Sequence, residues 1–191
     1  MMGFVPFPEK FVEQYRAKGY WQDQTLANTF QAVCRQYGER IAVCDASREV
    51  SYAELDQVAT RLGLNLLDAG LVPGDIVVLQ LGNVLEFVFV YLALQKIGVR
   101  PILALHTHRY RELRQFVELS GATATITADR SKDCDFIDIV NRVQADTTSI
   151  RRKFVLGGAA HGFVSLGDLL AREPSRDAAE IEAIQAAIDP C

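Results

Sequence analysis

The 191-residue chain is 49% hydrophobic and 23% charged, the make-up of an ordinary folded domain long enough to bury a sizeable core, which excludes disorder, collagen and small disulfide scaffolds. Its 20 basic and 24 acidic residues give a formal charge of -4, leaving no cationic footprint for a run of phosphates, so no nucleic-acid partner is expected. The longest apolar run, residues 87–94 between Glu86 and Gln95-Lys96, is far too short to cross a bilayer, and no membrane partner is expected either.

The opening Met1-Met2-Gly3-Phe4-Val5-Pro6-Phe7-Pro8 has no basic stretch and no long apolar stretch of a secretory leader, so a cytoplasmic address is expected. Cys34, Cys44, Cys134 and Cys191 show no CxxC spacing and no histidine at finger spacing, and read as free thiols in a reducing compartment. Glycines punctuate the chain from there on: Gly38 precedes Ile41-Ala42-Val43-Cys44, Gly70 precedes Ile76-Val77-Val78-Leu79, Gly98 precedes Pro101-Ile102-Leu103-Ala104-Leu105, and Gly121 precedes Thr123-Ala124-Thr125-Ile126-Thr127. A left-handed glycine ends a helix, so each apolar run is a strand candidate that follows a helix candidate.

The spacing of Leu55, Val58, Ala59, Leu62 and Leu66 predicts a helix over 51–69, with Ser51 and Glu54 as a capping box. The strand over 76–81 is apolar almost throughout, as where helices cover both faces of a parallel sheet. Asn83 with Glu86 predicts the start of an apolar helix that ends near Ile97. Beyond Gly121 come a helix over 136–143, a strand over 153–156, a short helix over 165–171 opened by Ser165 and Asp168, and a helix-compatible stretch over 178–188. The expected fold class is α/β: a layered domain with a mainly parallel sheet flanked by helices.

The residues alone assign little chemistry. Leu105-His106-Thr107-His108-Arg109 follows a strand at the edge where parallel sheets bind ligands, and two histidines two apart are able to hold a metal or move a proton. No carboxylate or thiol stands at a supporting spacing, so loop residues capping the next helix are the favoured reading. Gly157-Gly158 with His161 and Gly162 lacks P-loop spacing and a following lysine, and reads as a turn between two short strands. Gly82-Asn83 offers amides to an anion or a plain helix cap, and the cap is favoured. Ser51, Ser120 and Ser165 stand in no GxSxG, and Asp129, Asp133, Asp135 and Asp138 do not fit a calcium loop.

Three stretches read together do resemble a family. Pro8-Glu9-Lys10-Phe11 followed by Tyr15-Arg16-Ala17-Lys18-Gly19-Tyr20-Trp21 resembles the leader of the aryl-acid adenylating enzymes of siderophore biosynthesis, the 2,3-dihydroxybenzoate-AMP ligase type. Val50-Ser51-Tyr52-Ala53-Glu54-Leu55 is similar to the first core motif of the wider adenylate-forming superfamily. Gln80-Leu81-Gly82-Asn83 and the stretch from Leu92 through Gly98 to Leu105, ending in His108-Arg109, are similar to its second core region.

The resemblance implies that the complete enzyme activates 2,3-dihydroxybenzoate or salicylate with ATP and magnesium to an acyl adenylate. It then loads an aryl carrier protein, so that protein and an aromatic carboxylic acid are its implied partners. In the family the phosphate loop with its lysine comes shortly after the point this sequence reaches, and the acid pocket and catalytic lysine come later. The expectation is therefore an N-terminal α/β subdomain over 1–171 and a tail over 172–191 leading toward the phosphate-loop region. The chain alone is expected to be inactive, with no catalytic, cofactor-binding or metal residue and no cofactor of its own. Tyr52 and Leu55 are assigned to helix-to-sheet packing, Asn83 to a cap and Gly98 to the break between helix and strand. A competing reading is a non-catalytic module that self-associates through exposed apolar surface. A free-standing nucleotide-binding domain is disfavoured because neither GxGxxG nor a P-loop occurs.

Overall fold

A computed structural model describes residues 5–131, 134–158 and 160–188; Met1 to Phe4, Asp133 and Cys191 lie outside the described residues. The chain starts with helices α1 (Glu9–Ala17) and α2 (Leu26–Tyr37), then a hairpin of β1 (Ile41–Cys44) and β2 (Glu49–Ser51), which leads directly into α3 (Tyr52–Asp68). Next alternate β3 (Ile76–Gln80), α4 (Leu85–Lys96), β4 (Arg100–Leu103), α5 (Tyr110–Ser120) and β5 (Ala124–Ala128). A small hairpin, β6 (Arg130–Ser131) with β7 (Cys134–Asp135), precedes α6 (Phe136–Asp146), β8 (Arg152–Leu156), β9 (Val164–Ser165), α7 (Leu166–Ala171) and α8 (Ala179–Ala187).

The central sheet is wholly parallel, in the order β4-β3-β5-β8-β9, and confirms the expected α/β class. Side chains alternate across β3, which explains its unbroken hydrophobicity: Val77 and Leu79 enter one core with α3, α4 and α7, while Val78 enters a second core with α5 and α6. Both faces are thus covered, and each strand residue finds an apolar neighbour.

Helix α3 follows the predicted periodicity, burying Leu55, Val58, Ala59, Leu62 and Leu66, and Ser51 Oγ accepts the N–H of Glu54 at 3.2 Å. Gly63 lets α3 meet α4 closely, since a Cβ there would lie 2.9 Å from Ile97 Cγ2. Ser165 caps α7 as expected, accepting the N–H of Asp168. Gly98, at φ +67, makes the predicted break between α4 and β4.

Four expectations need correction. The strand at 41–44 lies outside the parallel sheet: Asp45 Oδ1 accepts the N–H groups of Ser47 and Arg48, closing a turn that sends the chain back antiparallel along β1. Gly38 is right-handed at φ -40, so it continues α2 instead of stopping it with a left-handed turn. Asn83 is no cap, because Val84 holds the extended N-cap position of α4 and no side chain caps it. Tyr52 packs its ring against Tyr37 of α2, 6.4 Å between centroids, and only Leu55 serves the sheet-side core.

The segment after α7 is tied down by polar contacts. Asp68 of α3 accepts from Arg172, from the hydroxyl and amide of Ser175, and from Arg176. Gln185 of α8 donates to the carbonyls of Gln95 and Lys96 at 2.9 and 2.6 Å, completing the C-terminal end of α4, and accepts the Thr25 hydroxyl.

Candidate functional site

Parallel sheets bind ligands beyond the carboxyl ends of their strands. Here that edge is formed by residues 81–84 after β3, 104–109 after β4, Asp129 and Arg130 after β5, and 157–158 after β8. The structure brings together most of the residues singled out in the sequence, and it also shows what each is doing.

Both histidines are packing groups. His106 meets the Phe136 ring edge-on at 5.2 Å, and His108 meets Phe116 at the same distance. His108 Nδ1 also accepts the N–H of Leu105 at 3.0 Å, which folds the loop back on itself. Among the described residues no group of three His, Cys, Asp or Glu side chains is placed to hold a metal ion. Arg109 donates from one guanidinium nitrogen to the carbonyls of His106 and His108, both at 2.9 Å, and lies 5.6 Å from the Phe136 ring centroid. Glu112 accepts the Arg109 N–H at 2.9 Å, and that bond holds its carboxyl below the ordinary value.

The glycine turn after β8 does bind an anion, but the anion belongs to the chain. Asp129 accepts the N–H of Gly158 at 2.8 Å and of Arg130 at 2.6 Å, and the Gly158 amide leads in pushing its carboxyl below the usual range. Gly157 sits at φ +123, and a Cβ there would come within 2.5 Å of that carboxylate. Asp135 caps α6 through the Asp138 N–H and pairs with Arg130 at 3.3 Å, so Asp129 and Asp135 are spent on a turn and a cap.

Under this edge lies a feature that sequence reading missed. Gln80, 2% exposed, donates from Nε2 to the carbonyls of Leu105 at 2.9 Å and His108 at 3.0 Å, so a buried side chain carries the loop after β4. The available signal was a lone amide ending an apolar strand. Of the cysteines, Cys34 and Cys134 are buried and Cys44 is exposed, all three as free thiols, and burial pushes the Cys34 thiol up to about 11. A groove of about 610 Å³ opens at the opposite edge of the sheet, lined by Ile76, Arg100, Ile102, Phe116 and Leu119.

An open parallel sheet covered by helices on both faces, with its loops gathered at the carboxyl edge, defines a doubly wound α/β protein. Residues 30–186 match the AMP-binding enzyme family, and the chain belongs to that family. It is 37% identical to the salicyl-AMP ligase / salicyl-S-ArCP synthetase of Mycobacterium tuberculosis over 89% of this chain and 31% of that protein. It is 34% identical to the 2,3-dihydroxybenzoate-AMP ligase of Bacillus subtilis over 88% of this chain and 31% of that one. The apo structure of MbtA from Mycobacterium smegmatis superposes with a TM-score of 0.83 at 35% identity, covering 92% of this chain and 32% of that structure. The aryl-acid branch expected from the motifs is thus the branch to which these relatives belong, and the chain spans about a third of their length.

Proposed function

We propose that this chain is the scaffold-forming N-terminal portion of an aryl-acid AMP ligase, with residues 1–171 as an α/β subdomain and 172–191 leading toward the phosphate-binding part. In the complete enzyme, salicylate or 2,3-dihydroxybenzoate would be activated with magnesium and ATP and passed to an aryl carrier protein. The similarity to the salicyl-AMP and 2,3-dihydroxybenzoate-AMP ligases supports the substrate class. The free thiols of Cys34, Cys44 and Cys134 fit a cytoplasmic setting.

One observation supports the reading that this portion carries the chemistry without performing it: the donors of the glycine turn and of Arg109 at the carboxyl edge already serve the chain's own groups. The amides of Gly158 and Arg130 hold Asp129, and Arg109 holds two backbone carbonyls. Magnesium-bound triphosphate needs uncommitted donors and metal-ligating carboxylates, and these three donors and the Asp129 carboxylate are already engaged with one another or with backbone. The test is ATP-pyrophosphate exchange by the purified 191-residue chain with each aryl acid. No exchange above background is expected, and robust exchange would overturn the proposal.

A second reading, self-association, is favoured by one observation. Leu119, 79% exposed, lines the 610 Å³ groove, and Leu103 and Leu105, 52 and 65% exposed, stand bare at the other end of β4. Sedimentation decides it: a concentration-dependent dimer supports this reading, and a strict monomer removes it.

A further inference from the structure

Helices α2 and α8 both pack on α4, and Thr25, the N-cap of α2, donates its hydroxyl to Gln185 of α8. Between them the surface sinks into a groove of about 390 Å³, a size within the range of small-molecule sites. Its wall carries as much polar as apolar surface. From α2 it is lined by Asn28, Gln31 and Arg35, spaced so that all three share one helix face. From α8 it is lined by Glu182 and Gln185, one turn apart, and from the end of α4 by Lys96.

Lys96 is the unusual member. It is 4% exposed, and its ammonium has three protons to donate, yet its one ion-pair partner among the described residues is Asp56 at 2.7 Å. A buried charge with so few partners favours a further acceptor beside it. The other charges of the groove are uncommitted. The Arg35 guanidinium, the Glu182 carboxylate and the side-chain amides of Asn28 and Gln31 make no ion pair or hydrogen bond with any described residue.

Lys96 and Arg35 bring two positive charges to the groove, and Asp56 and Glu182 bring two negative ones. A ligand of one sign is attracted by one set and repelled by the other. A molecule carrying both signs close together gains from both.

We propose that this groove binds a small zwitterion of the free α-amino-acid class. Its carboxylate accepts from Arg35 and Lys96, its ammonium donates to Glu182, and the amides of Asn28 and Gln31 complete the polar shell. Gln185 stays with the carbonyls of Gln95 and Lys96 and with Thr25, so it fixes the wall. Lys96 ends α4 shortly before β4 begins, which sets the site apart from the carboxyl edge of the sheet.

The test is an NMR titration of the 191-residue chain at neutral pH with glycine and the other common L-amino acids in turn, and with acetate and methylamine as the two half-molecules. At least one amino acid is expected to give saturable shifts at the backbone amides of Asn28, Gln31 and Glu182. Acetate and methylamine are expected to bind about tenfold more weakly or not at all. Arg35→Gln and Glu182→Gln remove no contact within the chain, and each is expected to weaken the binding about tenfold. No saturable shift with any amino acid overturns the proposal, and so does binding that both substitutions leave undiminished. Acetate binding as tightly as the amino acid overturns it too, since the groove would then be a simple anion site.

Discussion

The two faces of the central sheet are built on different principles. Toward α3, α4 and α7, the strands present only apolar side chains such as Val77, Leu79, Ala124 and Ile126, which meet Leu62, Leu66, Phe89 and Leu94, while the buried polar groups on that side, Asn65 and Lys96, belong to the helices. Toward α5 and α6, the same two strands present Val78 but also Gln80, Thr125 and Thr127. The first face supplies stability by removing apolar area from water. The second gives up some of that burial for polar groups, and one of them, Gln80, reaches the loop at the carboxyl edge. A parallel sheet can thus assign stability to one face and loop positioning to the other.

Substitutions should separate these roles. Phe89→Ala, in the apolar core, is expected to cost about 3 to 5 kcal/mol in denaturant unfolding, the largest effect of the set. A loss below about 1 kcal/mol would mean that this face is loosely packed. Asp56→Ala should cost about 3 kcal/mol, because it strips Lys96, 5% exposed and paired at 2.7 Å, of its counter-charge, whereas Lys96→Met should cost much less. Gln80→Leu should cost about 1 kcal/mol by removing two hydrogen bonds to carbonyls that keep a second donor each, His108 N–H on Leu105 and Arg109 on His108, and should also speed amide exchange at Leu105 and His108. Unchanged exchange there would break the link between the polar face and the loop.

A pH-dependent effect of similar size belongs to the junction of α3 with residues 172–176. The Ser175 hydroxyl, helped by Arg176, lowers the Asp68 carboxyl to about 2. A carboxyl depressed in the folded state stabilises it fully above the unfolded value, near 3.8, and that contribution is lost as pH falls toward 2. Asp68→Asn should therefore cost about 1 kcal/mol at neutral pH and almost nothing near pH 2, read from stability measured across that range.

Periodicity made the helices α3 and α7 and the strands β3, β5 and β8 legible, because alternation and three-to-four spacing are local signals. The β1-β2 hairpin was not legible as such, since its direction depends on a turn closed by Asp45, and an isolated apolar run fits either sheet type. The carboxyl edge could be located from strand ends, but its occupancy could not. Asp129 stands 29 residues from Gly158, and no local pattern announces that one will fill the other's amides. Gln80, likewise, acquires its meaning only when β4 brings Leu105 and His108 beside it.

The most direct measurement is an NMR titration of the 191-residue chain with magnesium-ATP, following the amides of Gly158 and Arg130. If Asp129 already holds both donors, those resonances stay in place at millimolar nucleotide. Saturable shifts at the two amides would contradict a self-satisfied carboxyl edge and would place nucleotide binding in this chain itself.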